Sequence, residues 1–296
     1  MRSTNPCFLM CPPKHFAVTY AINPWMDPSE WARDARTLAA VSSREWEALR
    51  GTLVDCGADI ELLPPRPGTP DMVFTANSAV VLDGQALLAR FRHRERQLEQ
   101  PAFARGFRRL QARGIIDSVS ELPDGIVLEG AGDCIWDRSR NLFWMGYGQR
   151  SDAAARGVVE DLFGAEAVPI ELVDPRFYHL DTAMCPLSGG EVLHVPGAFA
   201  PASLDTFRTQ VAPDQRIEVT PDDACQLAAN AVCVDDAVLL SGCSARLRGQ
   251  LEERGYRVIE TPLASFRRSG GAAFCLTLRL DWRSAALQEV DDAAAA

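Results

Sequence analysis

The sequence predicts an α/β protein assembled from repeated ββα units that close on themselves, and three features support that architecture. Short apolar runs broken by turn residues alternate with helical patterns along most of the chain. Four segments, "NSAVVLDGQALLARF", "DCIWDRSRNLFWMGYG", "DTAMCPLSGGEVLHVP" and "NAVCVDDAVLLSG", each read as strand, tight turn, strand, and in most cases a helical pattern follows. "CLTLRL", near the C-terminus, reads as the first strand of a fifth unit, whose remainder the N-terminal "FAVTYAINP" would supply. The leading residues of the units, Asn77, Asp133, Asp181, Asn230 and Cys275, are spaced by 56, 48, 49 and 45 residues. Such a period suits a closed array, which removes sheet edges and brings equivalent strand ends to one axis. A plain α/β protein with chance hairpins fits the same pattern, so the chemistry of the leading residues has to distinguish the two.

In chain order, Asp27 offers an N-cap oxygen, Pro28 suits a first helical turn and Glu30 completes a capping box, which predicts helix within 28–54. Further helices are expected over 95–113, 151–164, 221–228 and 244–254, between the hairpins. The tail 288–296, short, acidic and alanine-rich, is expected to be disordered.

Composition narrows the function classes. Of 296 residues, 47% are hydrophobic and 24% charged, the usual balance of a globular protein. A net charge of −10 argues against nucleic acid, whose phosphates call for clustered Lys and Arg. No apolar run approaches the roughly 20 residues of a membrane span, and the apolar run before Pro12 is too short for a signal peptide. A cytoplasmic protein is therefore expected. Nine scattered cysteines, an odd number, read as reduced and mostly buried thiols. Without a C-x-x-C pair or a histidine at a usual spacing, no structural metal is expected.

A closed array would gather its five leading polar residues around one cavity, placing Cys275 among carboxylates and amides. A cysteine is nucleophilic only as a thiolate, so it needs a cation or a base nearby. Gly270 and Gly271 permit a tight bend in front of it. Alone, Cys275 reads as a packed thiol and His179 as a structural histidine. Together, with Asp181 two residues beyond His179, they are a candidate nucleophile and general acid/base. Glu129 and Asp133, in "VLEGAGDCIW", either form a turn or grip a planar cation through paired hydrogen bonds. Carboxylates beside a thiol suit a guanidinium, which stays charged at any physiological pH.

At this point the motifs "PDMVFTANSAVV", "RFRHRERQLE", "LEGAGDCIW", "GYGQRSD", "YHLDTAMCP" and "SGGAAFCLTL" become informative as a set. From about Phe8 to Leu280 the chain resembles the guanidino-group-modifying superfamily of arginine deiminases, dimethylargininases, amidinotransferases and arginine dihydrolases. The resemblance implies a five-bladed pseudo-symmetric α/β propeller, a pentein, of ββαβ-type modules around a central active-site cavity. Residues 1–287 would then form a single catalytic domain.

By motif, the resemblance implies Cys275 as nucleophile, His179 as general acid/base, Glu129 as the acid that orients the histidine, and Asp181 as a carboxylate on the guanidinium. It implies Arg96 and Arg150 as holders of the substrate's α-carboxylate, with Phe74 and Asn230 in the substrate pocket. Asp133 either serves the fold or lines that pocket. No metal or organic cofactor is required, and the expected partner is a small cationic substrate, with no nucleic acid, no membrane and room for a homo-oligomer.

Position 77 distinguishes branches. Deiminases and dimethylargininases carry an aspartate where this chain has Asn77, and an amide suits both a guanidinium and the neutral ureido group of citrulline. "FLMCPPKHFAVTYAINPWM" and "FTAN" resemble the arginine dihydrolase branch, in which an asparagine at the position of Asn23 lies near the active site. Read on its own, Asn23 before Pro24 starts a turn. The activity implied is L-arginine plus two waters to L-ornithine, carbon dioxide and two ammonia. Single-step deimination or dimethylarginine hydrolysis, amidinotransfer, and non-catalytic arginine binding are the alternatives. Relatives in this branch often carry a further C-terminal domain, whose activity this chain is expected to lack.

Overall fold

Repetition dominates the computed structural model, which describes residues 5–288. The chain opens with β1 (Cys7–Met10), α1 (Pro28–Arg33), α2 (Ala35–Asp55) and β2 (Asp59–Leu62). The first complete unit follows, with β3 (Ala79–Leu82), β4 (Gln85–Leu88), α3 (Arg94–Gln97), α4 (Gln100–Ala112) and β5 (Ser118–Glu121). Next come β6 (Cys134–Asp137), β7 (Leu142–Tyr147), α5 (Ala155–Phe163) and β8 (Glu166–Glu171), then β9 (Met184–Pro186), β10 (Val192–His194), α6 (Pro201–Gln210) and β11 (Arg216–Glu218). After α7 (Pro221–Ala224) the fourth unit runs β12 (Val232–Val234), β13 (Ala237–Leu240), α8 (Ala245–Glu252) and β14 (Arg257–Glu260). Then come α9 (Ala264–Arg267) and β15 (Leu278–Arg279).

Five three-stranded sheets result, each an antiparallel pair extended by a parallel strand that arrives after a helix. In the first complete unit Val80 faces Leu87 across the antiparallel pair, and Leu87 faces Ser120 across the parallel one. Asp83, Asn141 and Asp235 take positive φ of 55°, 53° and 50° in the hairpin turns, a conformation that Asp and Asn tolerate better than most residues. The fifth sheet joins the two ends of the chain, as expected, but its middle strand is Cys7–Met10 rather than the 16–24 segment. Phe8 faces Arg279 on one side and Ile60 on the other. Residues 16–24 contain no strand and run toward the site described below.

Helix boundaries show where side-chain chemistry overrides pattern. Asp27 caps Ser29 and Glu30 N–H groups at 2.8 and 3.0 Å, but the Glu30 carboxylate pairs with Arg268 instead of closing a capping box. Asp34 divides the expected helix in two, and α2 buries Ser42, Trp46, Leu49 and Leu53 on one stripe. The 95–113 helix breaks around Leu98 and Glu99. The 151–164 helix begins only at Ala155, because Ser151 and Asp152 hold other loops. The 221–228 helix stops at Ala224, and Leu227 turns to φ 53°. The expected tail lies, apart from Gln288, outside the described residues.

The five modules form the expected α/β propeller, and its ring closes through hydrogen bonds between successive units. Asn77 Nδ2 donates to the Glu129 carbonyl at 3.2 Å, Leu180 N–H to Asp133 Oδ1 at 3.0 Å, and Asn230 Nδ2 to the Asp181 carbonyl at 3.0 Å. Cys275 N–H donates to Asn230 Oδ1 at 3.2 Å, and Ala76 N–H to the Cys275 carbonyl at 3.2 Å, which completes the circuit. The leading residues therefore meet at the N-terminal ends of the inner strands β3, β6, β9, β12 and β15. Apolar clusters fill the spaces between neighbouring units around this polar ring.

Candidate active site

Asn77, Glu129, Asp133, His179, Asp181, Asn230 and Cys275 are all buried. Cys275 is 2% exposed, and its Sγ lies 3.0 Å from Asp181 Oδ2 and 3.1 Å from Asn230 Nδ2. Asn230 is also the anchor of the Cys275 loop, since its Oδ1 accepts from Ala272 N–H at 3.0 Å as well as from Cys275 N–H. Gly271 faces this loop so closely that an added Cβ would lie 2.5 Å from Phe74 Cε1 and 3.1 Å from Cys275 Cβ. Phe74 is thus packed beside the thiol, its ring edge-on to Phe16 and Phe266.

Burial and the neighbouring Asp181 push the Cys275 thiol well above its usual range, so the thiol is neutral in these surroundings. Burial also pushes the Asp181 carboxyl up to about 7, against bonds from the thiol and Asn230 that favour ionisation. Asp181 Oδ1 is buried without a hydrogen-bond partner. Leaving such a group unmatched costs about 1–3 kcal/mol, so the pair is built to accept a donor that carries positive charge. A cation placed there lowers the pKa of both groups at once and favours the thiolate.

His179 supplies the second half of the cluster. Its Nε2 is 2.8 Å from Glu129 Oε2, and its Nδ1 is 3.4 Å from Asn77 Nδ2. Burial works to raise the Glu129 carboxyl, but Arg150, His179 and Arg96 together hold it below the ordinary carboxylate range. Burial pulls His179 down to about 4, more strongly than its bond to Glu129 raises it. The imidazole is therefore neutral at physiological pH. With an ionised acceptor at Nε2 and an amide donor at Nδ1, the network assigns the proton to Nε2 and the lone pair to Nδ1, where it accepts the long 3.4 Å bond from Asn77. Nδ1 is consequently the nitrogen able to take a proton from water.

The orientation of Asn77 is itself fixed. Arg96 Nη1 donates to Asn77 Oδ1 at 2.8 Å, while its Nε and Nη2 fork onto Glu99 at 3.1 and 2.8 Å, and Nη2 also reaches the Asp71 carbonyl at 3.2 Å. Gly132 lies against the Asn77 amide so tightly that any Cβ would collide with Nδ2. Arg150 donates to Glu129 Oε2 at 3.2 Å and to the Ile22 carbonyl at 2.9 Å, and stacks on Tyr178 at 4.6 Å. Both arginines thus join the cluster, mostly through protein partners.

Asp133 links the His179 and Glu129 loops without reaching Cys275. Its Oδ1 accepts from Leu180 N–H, and its Oδ2 accepts from Ser151 Oγ at 2.6 Å, which in turn accepts from Glu129 N–H at 2.9 Å. Burial, reinforced by Glu129, holds its carboxyl well above the usual range. Asn23 makes the turn its sequence suggests, accepting from Trp25 N–H at 2.9 Å, and also donates to the Ser269 carbonyl at 3.1 Å. It reaches the cluster only at one remove.

Several participants were not singled out from the sequence. Asp71 accepts from Tyr20 Oη at 2.7 Å and Ser269 Oγ at 3.1 Å, tying the 16–24 segment to the loop before Cys275. Tyr178 Oη donates to the Gly270 carbonyl at 3.0 Å. Their signal lay in plain view: Asp71, Tyr178 and Ser269 fall within or beside the "PDMV", "YHLD" and "SGGAAF" motifs. Among the described residues no cluster of His, Cys, Asp and Glu suits a metal ion, and no helix is long and apolar enough to cross a membrane.

The chain is similar to several known proteins. Residues 12–281 match the family model described as N,N dimethylarginine dimethylhydrolase, eukaryotic. The bifunctional arginine dihydrolase/ornithine cyclodeaminase ArgZ of Synechocystis is 42% identical over 272 residues, 92% of this chain but 37% of that protein. This chain therefore spans little more than a third of that bifunctional relative. The N(G),N(G)-dimethylarginine dimethylaminohydrolase of Mycobacterium tuberculosis is 35% identical over 92% of this chain and 85% of its own length. Solved structures of the N-terminal domain of ArgZ, one bound to substrate and one variant covalently bound to a reaction intermediate, superpose with a TM-score of 0.86 at 40% identity, covering 94% of this chain and 99% of theirs.

Proposed function

We propose that this chain, which belongs to the N,N dimethylarginine dimethylhydrolase family, is an arginine dihydrolase that converts L-arginine and two waters to L-ornithine, carbon dioxide and two ammonia. The observation that carries the reading is Asn77. Held by Arg96, it offers an N–H to the His179 side of the site where a fixed negative charge would favour only a cationic substrate. The likeness to ArgZ supports the same reading.

The guanidinium is placed against the free oxygen of Asp181, beside Cys275. The Cys275 thiol passes its proton to His179 Nδ1, sulfur bonds to the guanidinium carbon, a terminal C–N bond breaks, and Nδ1 hands that proton to the departing nitrogen, which leaves as ammonia. His179 Nδ1 then takes a proton from water, oxygen bonds to the amidino carbon, and the C–S bond breaks to give citrulline. In a second round sulfur attacks the ureido carbon and expels the second ammonia. Water releases the resulting thiocarbamate as ornithine carbamate, which loses carbon dioxide. Glu129 holds the His179 proton at Nε2 throughout, and Arg96 and Arg150 anchor the substrate's α-carboxylate, with Asn23 at the pocket edge.

Measured products decide the matter. Incubation with arginine is expected to give two ammonia per ornithine, whereas citrulline as the only amino-acid product would overturn the assignment. The family match and the mycobacterial relative favour a second reading, single-step hydrolysis of dimethylarginine. Dimethylamine release from that substrate, at rates exceeding ammonia release from arginine, would establish it.

A further inference from the structure

The catalytic ring sits at one end of the five inner strands, and a cavity sits on the same axis beyond it. Val80, Ile135, Cys185, Val232 and Leu278, one from each inner strand, line this space of about 80 Å³, together with Phe274. Each strand residue follows its unit's leading residue in the chain, so the cavity extends away from the Cys275 end. Its outer rim carries the side chains of Arg138, Ser188 and Asp235, all exposed and all at hairpin turns, so it opens toward solvent on the far face. Phe274, the residue before Cys275, is only partly buried although it packs against three of the four apolar clusters. It thus joins the lining of the cavity to the loop that carries Cys275.

A dihydrolase has a transport problem that a single-step enzyme lacks. Ammonia must leave after the first cleavage while citrulline stays bound in the entrance it came through. Cys275, His179 and Asp181 are 2%, 1% and 0% exposed, so ammonia has no open route past a bound amino acid. The leaving group departs as neutral NH₃ once His179 has protonated it, and a neutral molecule of that size crosses apolar walls that exclude a zwitterion. We propose that the axial cavity is the exit for ammonia, with the Phe274 ring as the partition between it and Cys275. This rests on the dihydrolase reading above.

Cys233 gives a means of blocking the passage. It lines the cavity on the rim side, is half-buried, and its thiol lies 3.4 Å from the Asp235 carbonyl, beside Ser188. Cys233→Trp fills the outlet, and Cys233→Ser leaves it open. With the outlet filled, ammonia can leave only through the entrance that citrulline must vacate, so Cys233→Trp is expected to raise the share of turnovers that end in released citrulline by about threefold or more, at unchanged arginine affinity, with Cys233→Ser like the unaltered protein. A folded Cys233→Trp with unchanged citrulline-to-ornithine ratio and turnover overturns the exit. Should the tryptophan prevent folding, xenon pressure on the unaltered enzyme occupies the same apolar space. A rise in citrulline under xenon then supports the exit, and an unchanged ratio overturns it. Citrulline as the sole product of the unaltered enzyme would sink the dihydrolase reading and this route together, whereas ornithine with an insensitive ratio sinks the route alone.

Discussion

Arg96 donates to Asn77 Oδ1 at 2.8 Å, and this contact turns the amide so that Nδ2 faces His179 Nδ1 at 3.4 Å. A buried arginine thereby dictates which end of the amide meets His179. Because an amide N–H can only donate, His179 Nδ1 must accept, and the proton stays at Nε2 against Glu129.

Replacing Asn77 by aspartate keeps the shape and changes the charge. The carboxylate pairs with Arg96, favours a protonated His179 and stabilises a guanidinium over a neutral ureido group. Asn77→Asp is expected to shift products from ornithine toward citrulline by about tenfold, the effect of roughly 1.4 kcal/mol between the two substrates. Chromatography of the amino-acid products reads the ratio directly, and an unchanged ratio removes Asn77 from the distinction.

Substrate binding is expected to depend on pH through Asp181. Its carboxyl, pushed up to about 7 by burial, is protonated below that pH, and a guanidinium prefers the ionised form. Arginine binding therefore releases a proton at acidic pH, and affinity falls by about tenfold per unit as pH drops below 7. The same raised pKa stabilises the unliganded fold at low pH and loses that contribution as pH rises from the ordinary carboxylate range through 7. Calorimetry of arginine with the Cys275→Ala variant, across pH 5–8 and in buffers of different ionisation enthalpy, measures both slope and protons. A flat affinity would mean that Asp181 does not face the cation.

Glu129→Gln tests the tautomer. A neutral amide no longer demands a proton at His179 Nε2, and it leaves Arg150 without its charged acceptor. Turnover is expected to drop by about 10²–10⁴-fold, as for other residues that orient a catalytic histidine. The arginine dissociation constant should move far less. Steady-state kinetics beside calorimetry separates the two, and comparable losses in both would instead point to a disrupted pocket.

Much of this was legible in the sequence, for definite reasons. The five leading residues show themselves because each unit repeats a strand, a turn and a strand at similar spacing, and the ring of hydrogen bonds from Asn77 through Cys275 is the consequence. Cys7–Met10 was not legible as the fifth unit's middle strand, since four apolar residues show a partner only once Phe8 meets both Arg279 and Ile60. Asp71 and Ser269 look like turn residues until a fold places them 3.1 Å apart across 198 positions. The 151–164 helix lost its first turn for a related reason, because Ser151 is bonded to Glu129 and Asp133. Local patterns predict elements, whereas the buried polar network that trims them is a property of the closed ring.

The most direct test of the account follows the guanidino carbon itself. Arginine carrying ¹³C at that position is mixed with enzyme and quenched, the protein is weighed by mass spectrometry, and the label is traced among products. The account predicts a transient labelled adduct on the Cys275 peptide and label ending in carbon dioxide beside ornithine. Label that stays in citrulline, or turnover that persists in Cys275→Ala, would contradict it.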